Sequence, residues 1–205
     1  MHVIFLDIDG VLNSETFGRS LEDKHRQLGH DEPSRPKRDT TCDCFKLFNQ
    51  IDRDAVGRLN RLVAETGSKV VISSSWRRLF DPPELHRILS EHGLVAEIIG
   101  ETPYAFAEGI REDMRLEYGA GGERLFRGHE IDYWLRYQGE DVKRFVILDD
   151  CSDMVMHMSR LVQTDPEVGL TDEDVDLAIR VMSWDGNDGF ESLSDKLDNS
   201  DGEKQ

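Results

Sequence analysis

His2-Val3-Ile4-Phe5-Leu6 runs directly into Asp7-Ile8-Asp9-Gly10-Val11-Leu12-Asn13, and the reading of the fold starts from that junction. A short apolar run of this kind reads as a buried strand. Two carboxylates two positions apart stand at its carboxyl end. If the strand continued that far, Asp7 and Asp9 would share one face, because side chains alternate with a period of two. A bend at Gly10 would close the loop over a small anion or ion. Neighbouring carboxylates repel, so the pair is costly unless a cation compensates or one member holds a proton. Both conditions suit phosphoryl transfer, with magnesium held by carboxylates, backbone carbonyls and water.

Further strands are expected at Lys69–Ile72, delivering Ser73, Ser74, Ser75, Trp76 and Arg77, and at Arg144–Leu148, ending in Asp149-Asp150. Leu94–Ile99 reads as another strand, and Leu161-Val162 as a short edge strand. Between them lie helical patterns. Asp52 caps a helix to Glu65 with Val56, Leu59, Leu62 and Val63 inward, and Gly67 ends it. Asp81-Pro82-Pro83-Glu84 starts a second, with Leu85, Ile88 and Leu89 inward. Gly128–Tyr137 is a third, and Thr171-Asp172-Glu173-Asp174 caps a fourth. Strands alternating with helices predict an α/β fold with a mostly parallel sheet. Ligands of such sheets bind beyond the carboxyl ends of the strands, where Asp7/Asp9, Ser73–Ser75 and Asp149/Asp150 are all expected. Adjacent strand residues point to opposite sides, so one of Asp149 and Asp150 is expected to coordinate metal and the other to orient a neighbour.

The 205 residues suffice for one domain with a substantial core and modest insertions. We divide them into a main domain (1–184), an insert within it (14–50) and an acidic tail (185–205). Ser14–Gln50 shows no convincing periodicity and holds seven basic and seven acidic residues. A connection that long is usually functional, and it sits where a flap or small helical cap would read the substrate. Arg35, Lys37 and Arg38 form a basic knot in it, while His25, His30, Cys42 and Cys44 raise the alternative of a zinc staple. Thr102–Glu123 reads as a loop with a short helix. The tail carries seven acidic and two basic residues and is expected to be loosely held.

Net charge is −17, from 42 acidic and 25 basic residues. A field of that sign disfavours nucleic-acid coating and anionic membranes, although a bound cation reverses the sign locally. No stretch approaches the roughly 18 apolar residues of a membrane span, and the amino terminus lacks the marks of a signal peptide. Three cysteines are no disulfide framework. The expected setting is cytoplasmic, with no membrane and no obligate protein partner. Cys151 reads as packed rather than catalytic.

FLDIDGVLN resembles the first motif of the haloacid dehalogenase-like (HAD) superfamily of phosphatases and phosphotransferases. KVVISSSWR resembles its second motif and RFVILDD its acidic fourth. SSSWR, RGHEIDYWL, VILDD and TDPEVGLTDEDVDLAI together resemble the HAD domains of Swiss Army knife RNA repair proteins. The resemblance spans most of Val3–Met182 and implies a Rossmannoid three-layer fold with a small insert after the first strand. It also implies a magnesium-dependent phosphomonoester hydrolase. Asp7 is then the nucleophile and Asp9 the acid that protonates the leaving oxygen and later activates water. Magnesium would be held by Asp7, the Asp9 carbonyl and Asp150, or Asp149 if the strand ends a residue earlier. Ser73, or Ser74 in its place, supplies the phosphate-binding hydroxyl. Arg127 best fits the basic residue between the second and fourth motifs, followed by Lys143, with Arg77 a further phosphate candidate. The substrate is expected to be a phosphorylated small molecule or a nucleic-acid end. A phosphotransferase and a non-catalytic phosphate-binding scaffold are the alternatives. An acid at Asp9 favours phosphate transfer over dehalogenation, which has no alkoxide to protonate.

Overall fold

The computed structural model describes residues 1–27, 51–105, 110–118, 125–139 and 141–184. Five strands form one sheet: β1 (His2–Leu6), β2 (Ser68–Ile72), β3 (Ile98–Glu101), β4 (Arg144–Asp149) and β5 (Leu161–Gln163). Their order is β3-β2-β1-β4-β5 and every pairing is parallel. The register decides where the site lies. Leu6 pairs with Ile72 on one side and Leu148 on the other, so Asp7, Ser73 and Asp149 leave the sheet one rung later, together. Backbone bonds carry that rung: Asp7 N–H donates to the Leu148 carbonyl at 2.9 Å and Ser73 N–H to the Leu6 carbonyl at 2.7 Å.

Among the described residues six α-helices accompany the strands: α1 (Glu15–Gln27), α2 (Arg53–Thr66), α3 (Pro82–Glu91), α4 (Ile110–Tyr118), α5 (Arg127–Tyr137) and α6 (Asp172–Ser183). Alternation along β1 feeds both faces of the sheet. Ile4 and Leu6 join Val70, Ile72, Val146 and Leu148 against the apolar stripes of α2, α3 and α6. Val3 and Phe5 join Val71 and Ile147 against Ile131 and Trp134 of α5, with Phe5 and Trp134 meeting edge-on at 5.4 Å. Two helical layers around one sheet, with a helical insert after the first strand, make a Rossmannoid α/β fold. The expected caps are present: Asp52, Asp81 and Thr171 each accept a backbone N–H from the first turn of α2, α3 and α6.

Two local expectations shift. The strand expected at Leu94–Ile99 starts at Ile98, because Leu94 closes α3 instead. Its N–H returns to the Leu89 carbonyl and that of Gly93, at φ 100°, to Ser90, a Schellman ending that takes an apolar residue just past the glycine. Within the insert, α1 forms where no periodicity was evident. Ser14 Oγ accepts the Phe17 N–H, and Thr16 and Arg19 bond Glu167. Capping and surface polar contacts hold this helix rather than an apolar stripe, so the pattern that reveals buried helices is missing. Residues 28–50, with Arg35, Lys37, Arg38, His30, Cys42 and Cys44, the side chain of His25, and the tail 185–205 lie outside the described residues.

Gly128 brings α5 to the sheet edge. A Cβ there would stand 2.1 Å from the Met154 carbonyl oxygen, which is backbone and cannot swing aside. Gly128→Ala should therefore cost about 3 kcal/mol or more of stability, read as a lower urea midpoint. An unchanged midpoint would mean that α5 does not need this approach.

Candidate active site

β1 stops at Leu6, and the chain then turns tightly, with the N–H groups of Val11, Leu12 and Asn13 all directed at the Ile8 carbonyl. Gly10 makes the turn at φ 71°, a conformation other residues adopt only with strain. Asp7 and Asp9 consequently do not share one strand face. Asp7 is buried, at 4% exposure, and Asp9 is exposed.

Asp7 Oδ1 accepts the Ile8 N–H at 2.7 Å. Its other oxygen lies 3.2 Å from Arg127 Nη1, which also stands 3.4 Å from Asp149 Oδ2. The Ser74 hydroxyl stands beside Asp7 and favours its charged form. Burial raises the Asp7 carboxyl above its ordinary range, while Arg127, Ser74 and the Ile8 N–H oppose that rise. Asp149 is wholly buried and accepts the Cys151 N–H at 2.9 Å. Burial and the Asp7 charge push its carboxyl up to about 8, against the pull of Arg127. Arg127 reaches this place from the first position of α5, where its N–H meets Asp153. It is half enclosed, and the surrounding carboxylates keep it charged.

Asp9 is held from the side. Trp76 Nε1–H and Asn13 Nδ2–H both donate to Oδ1 at 2.9 Å, and the Ser75 hydroxyl stands 3.4 Å from Oδ2. Asn13 also accepts the Gly10 N–H at 2.9 Å, and Thr164 donates to the Gly10 carbonyl at 2.8 Å. Asp150 lies against Gly10 so closely that a Cβ on the glycine would be 2.7 Å from the carboxylate carbon. Among the described residues no ion pair involves Asp9 or Asp150.

The predicted residues therefore divide. Asp7, Arg127 and Asp149 meet directly and Ser74 stands beside Asp7, with Asp9 on the turn after β1 and Asp150 just past β4, against Gly10. Ser74, rather than Ser73, stands beside Asp7, while the Ser73 hydroxyl receives that of Thr102 at 3.4 Å. Arg77 is buried in an ion pair with Glu130 at 3.0 Å and does not reach Asp7 in these contacts. Lys143 precedes β4, at the amino edge of the sheet, where its N–H meets the Met1 carbonyl. Six strand residues, roughly 20 Å, separate it from Asp149, so it leaves the set. Cys151 is exposed rather than packed. Its thiol is pushed up to about 12, first by burial and then by Asp150 and Asp149, so it is a poor nucleophile. Trp76, Asn13, Thr164 and Glu130 escaped sequence reading as site residues. Only Asn13, three residues after the glycine, carried a local signal, that of a turn closed by a side-chain amide.

The donor set fits a hard divalent cation. Asp149 Oδ2 is buried without a hydrogen-bond partner, and oxygens of Asp149 and Asp150 lie with Cys151 Sγ within 4.8 Å of one another. Asp7 and Asp149 share one guanidinium, and Asp9 and Asp150 stand on the adjoining segments, so the four carboxylates and Arg127 carry a formal −3 when all are ionised. A donor set dominated by carboxylate oxygens is the preference of magnesium.

The electrostatics give a pH test. The Asp149 carboxyl is raised to about 8 in the fold against roughly 3.9 in an unfolded chain. The unfolded chain loses that proton first as pH rises, so this group's stabilising contribution is full below about pH 4 and gone above about pH 8. In chelator, parent stability should fall more steeply between pH 5 and 8 than that of Asp149→Asn, measured by urea unfolding. Parallel slopes would show that Asp149 ionises normally.

An all-parallel sheet of this order, with an acidic turn at the tip of its central strand, is consistent with a HAD-like Rossmannoid fold. Residues 3–175 match the family described as the HAD domain in Swiss Army Knife RNA repair proteins, and the chain belongs to that family. Membership supports a hydrolase or phosphatase-type activity in general terms. No curated protein and no solved structure matches the chain. No helix among the described residues is long and apolar enough to cross a membrane.

Proposed function

We propose that this chain hydrolyses phosphomonoesters through an acyl phosphate formed on the carboxylate of Asp7. The observation that carries the reading is Asp7 itself: a buried carboxylate at the tip of the central strand, held by Arg127 and Ser74. A fixed guanidinium and hydroxyl beside a carboxylate are what a phosphoryl group needs to be gripped and aimed. Asp7 attacks phosphorus, the bond to the leaving oxygen breaks, and Asp9 gives that oxygen a proton. Water then attacks the Asp7-bound phosphorus, Asp9 takes a proton back, and inorganic phosphate leaves. The Asp9 contacts favour one oxygen for this duty. Oδ1 is occupied by two N–H donors, so Oδ2, beside the Ser75 hydroxyl, is the oxygen that carries the proton.

Asp7, Asp150 and the Asp9 carbonyl would hold magnesium, with Asp149 Oδ2, which no hydrogen bond occupies, the further oxygen at hand. When bound, the ion screens the nucleophile from the phosphate and offsets charge on the transferring oxygens. The RNA-repair setting of the family supports a phosphorylated nucleotide or nucleic-acid end as substrate. The test is a hydrolysis screen, with magnesium or with chelator, over nucleotides, sugar phosphates and oligonucleotides phosphorylated at the 2′, 3′ or 5′ position. Magnesium-dependent release from the nucleic-acid members is expected. Release from sugar phosphates alone would overturn the substrate class, and no release from any substrate would overturn the activity. Asp9→Asn should lose most turnover and accumulate phosphorylated protein from a substrate with a good leaving group, seen by mass spectrometry. Full activity in that variant would remove Asp9 from the mechanism.

A further inference from the structure

We propose that Arg77 and Glu130 form a positioning pair that locks the Ser73–Ser74 loop and the Arg127 helix into one phosphate-gripping unit. The proposal rests on the reading of Asp7, Ser74 and Arg127 above. Both side chains are nearly sealed from water, at 5% and 6% exposure, with Arg77 Nη2 3.0 Å from Glu130 Oε2. Each makes further bonds. Arg77 Nε donates to the Ser74 carbonyl at 2.6 Å, and Nη1 donates to the carbonyl and hydroxyl of Thr102 and, at 3.3 Å, to the Pro103 carbonyl. Glu130 Oε1 accepts the Ala105 N–H at 2.8 Å.

The parts joined in this way are those that would hold phosphate. Ser74 presents its hydroxyl to Asp7, and Arg77 fixes the peptide leaving Ser74. Thr102, bonded to Arg77, also donates to Ser73. Glu130 lies three residues after Arg127 on α5, hence on the same side of the helix. Fixing Glu130 therefore sets the rotation of α5 and the direction from which Arg127 meets Asp7. Stability alone is a poor reason for such a pair. Desolvating two charges costs several kcal/mol per ion, and well-packed apolar residues of similar volume are often as stable or more so. Directional bonds to four backbone groups on two segments, Ser74 and the Thr102–Ala105 loop, are what an apolar replacement cannot supply.

The test uses the full chain with the isosteric double change Arg77→Met/Glu130→Leu, and Glu130→Gln as the milder variant should the double change fail to fold. Three readouts are taken: melting temperature, kcat and KM for p-nitrophenyl phosphate with magnesium, and the NMR signals of the Arg127 Nε–H and the Ser74 amide. The expected result is a parental melting temperature with kcat down about 10- to 100-fold, the scale of a misplacement near 1 Å. Displaced Arg127 and Ser74 signals should accompany it. Parental kcat and undisplaced signals in a folded variant would overturn the proposal and leave the pair a folding role only. If the parent hydrolyses no phosphomonoester, the reading of Asp7 fails. The NMR signals still decide the positioning role: displaced signals support it and undisplaced ones refute it.

Discussion

Asp7→Asn should abolish phosphatase turnover, on the order of 10⁴- to 10⁶-fold as for loss of other enzymic nucleophiles, and should leave no phosphorylated protein. An amide keeps the size of the side chain and can still accept the Ile8 N–H, but it is too weak a nucleophile to displace an alkoxide at phosphorus. The same change should not weaken the fold. In the parent, Asp7 and Asp149 share a single guanidinium, and the Asp7 charge is among the causes that push the Asp149 carboxyl up. Neutralising Asp7 removes that repulsion and leaves Arg127 to Asp149. In chelator the variant should therefore unfold at a urea concentration equal to or above the parent's. Stability lost to charge crowding at a catalytic site is a common trade. Retained turnover in a verified Asp7→Asn protein would end the aspartyl-phosphate mechanism, whereas a large loss of stability would show that the carboxylate is structural.

The opposite pattern is expected at the cation. Arg127→Met leaves Asp7 and Asp149 buried side by side with no guanidinium between them. Removing one partner of a buried pair typically costs about 3–5 kcal/mol, which for a chain of this size lowers the melting temperature by roughly 6–20 °C. Protonation of Asp149 relieves part of the cost at low pH, so the deficit should be larger at pH 8 than at pH 5. Magnesium should restore much of it, since an ion that binds only the folded state adds about 2.7 kcal/mol at a hundred times its Kd. Turnover should still fall about 10²- to 10³-fold in saturating magnesium, the usual cost of one missing donor to transition-state charge. A variant as stable as the parent in chelator would mean that the two carboxylates do not depend on Arg127. One that recovers full activity with magnesium would mean that Arg127 does not grip phosphate.

These opposing effects separate charge from shape at the site. Both variants lose activity, yet one relaxes the acidic cluster and the other exposes its repulsion. A scaffold that merely binds phosphate would show the stability changes without the losses of turnover.

Much of this was legible in the chain itself. Asymmetric runs such as HVIFL and RFVIL have only one reading when each is short, apolar and followed by acids, because a strand buried on both faces needs no alternation. Caps at Asp52, Asp81 and Thr171 act within a few residues, so their geometry is written locally. What the sequence could not rank was the order of contacts beyond the strand tips. Ser74 rather than Ser73 stands beside Asp7 because adjacent residues point to opposite sides and Thr102, 29 positions away, engages Ser73. Arg127 ranked first and Lys143 second by position between motifs. A parallel strand separates its two ends by its full length, and Lys143 stands at the wrong one. Arg77 looked like a phosphate ligand beside the serines until Glu130, 53 residues away, was found to hold it. Trp76 joined the site only through a contact with Asp9 67 positions distant. Local propensity and hydrophobic period thus determined the central strands, the capped helices α2, α3 and α6, and the acidic tip, but not α1 or the start of β3. Which side chains meet there depended on register and helix packing, since long-range pairing is settled by the whole core and leaves no trace in neighbouring residues.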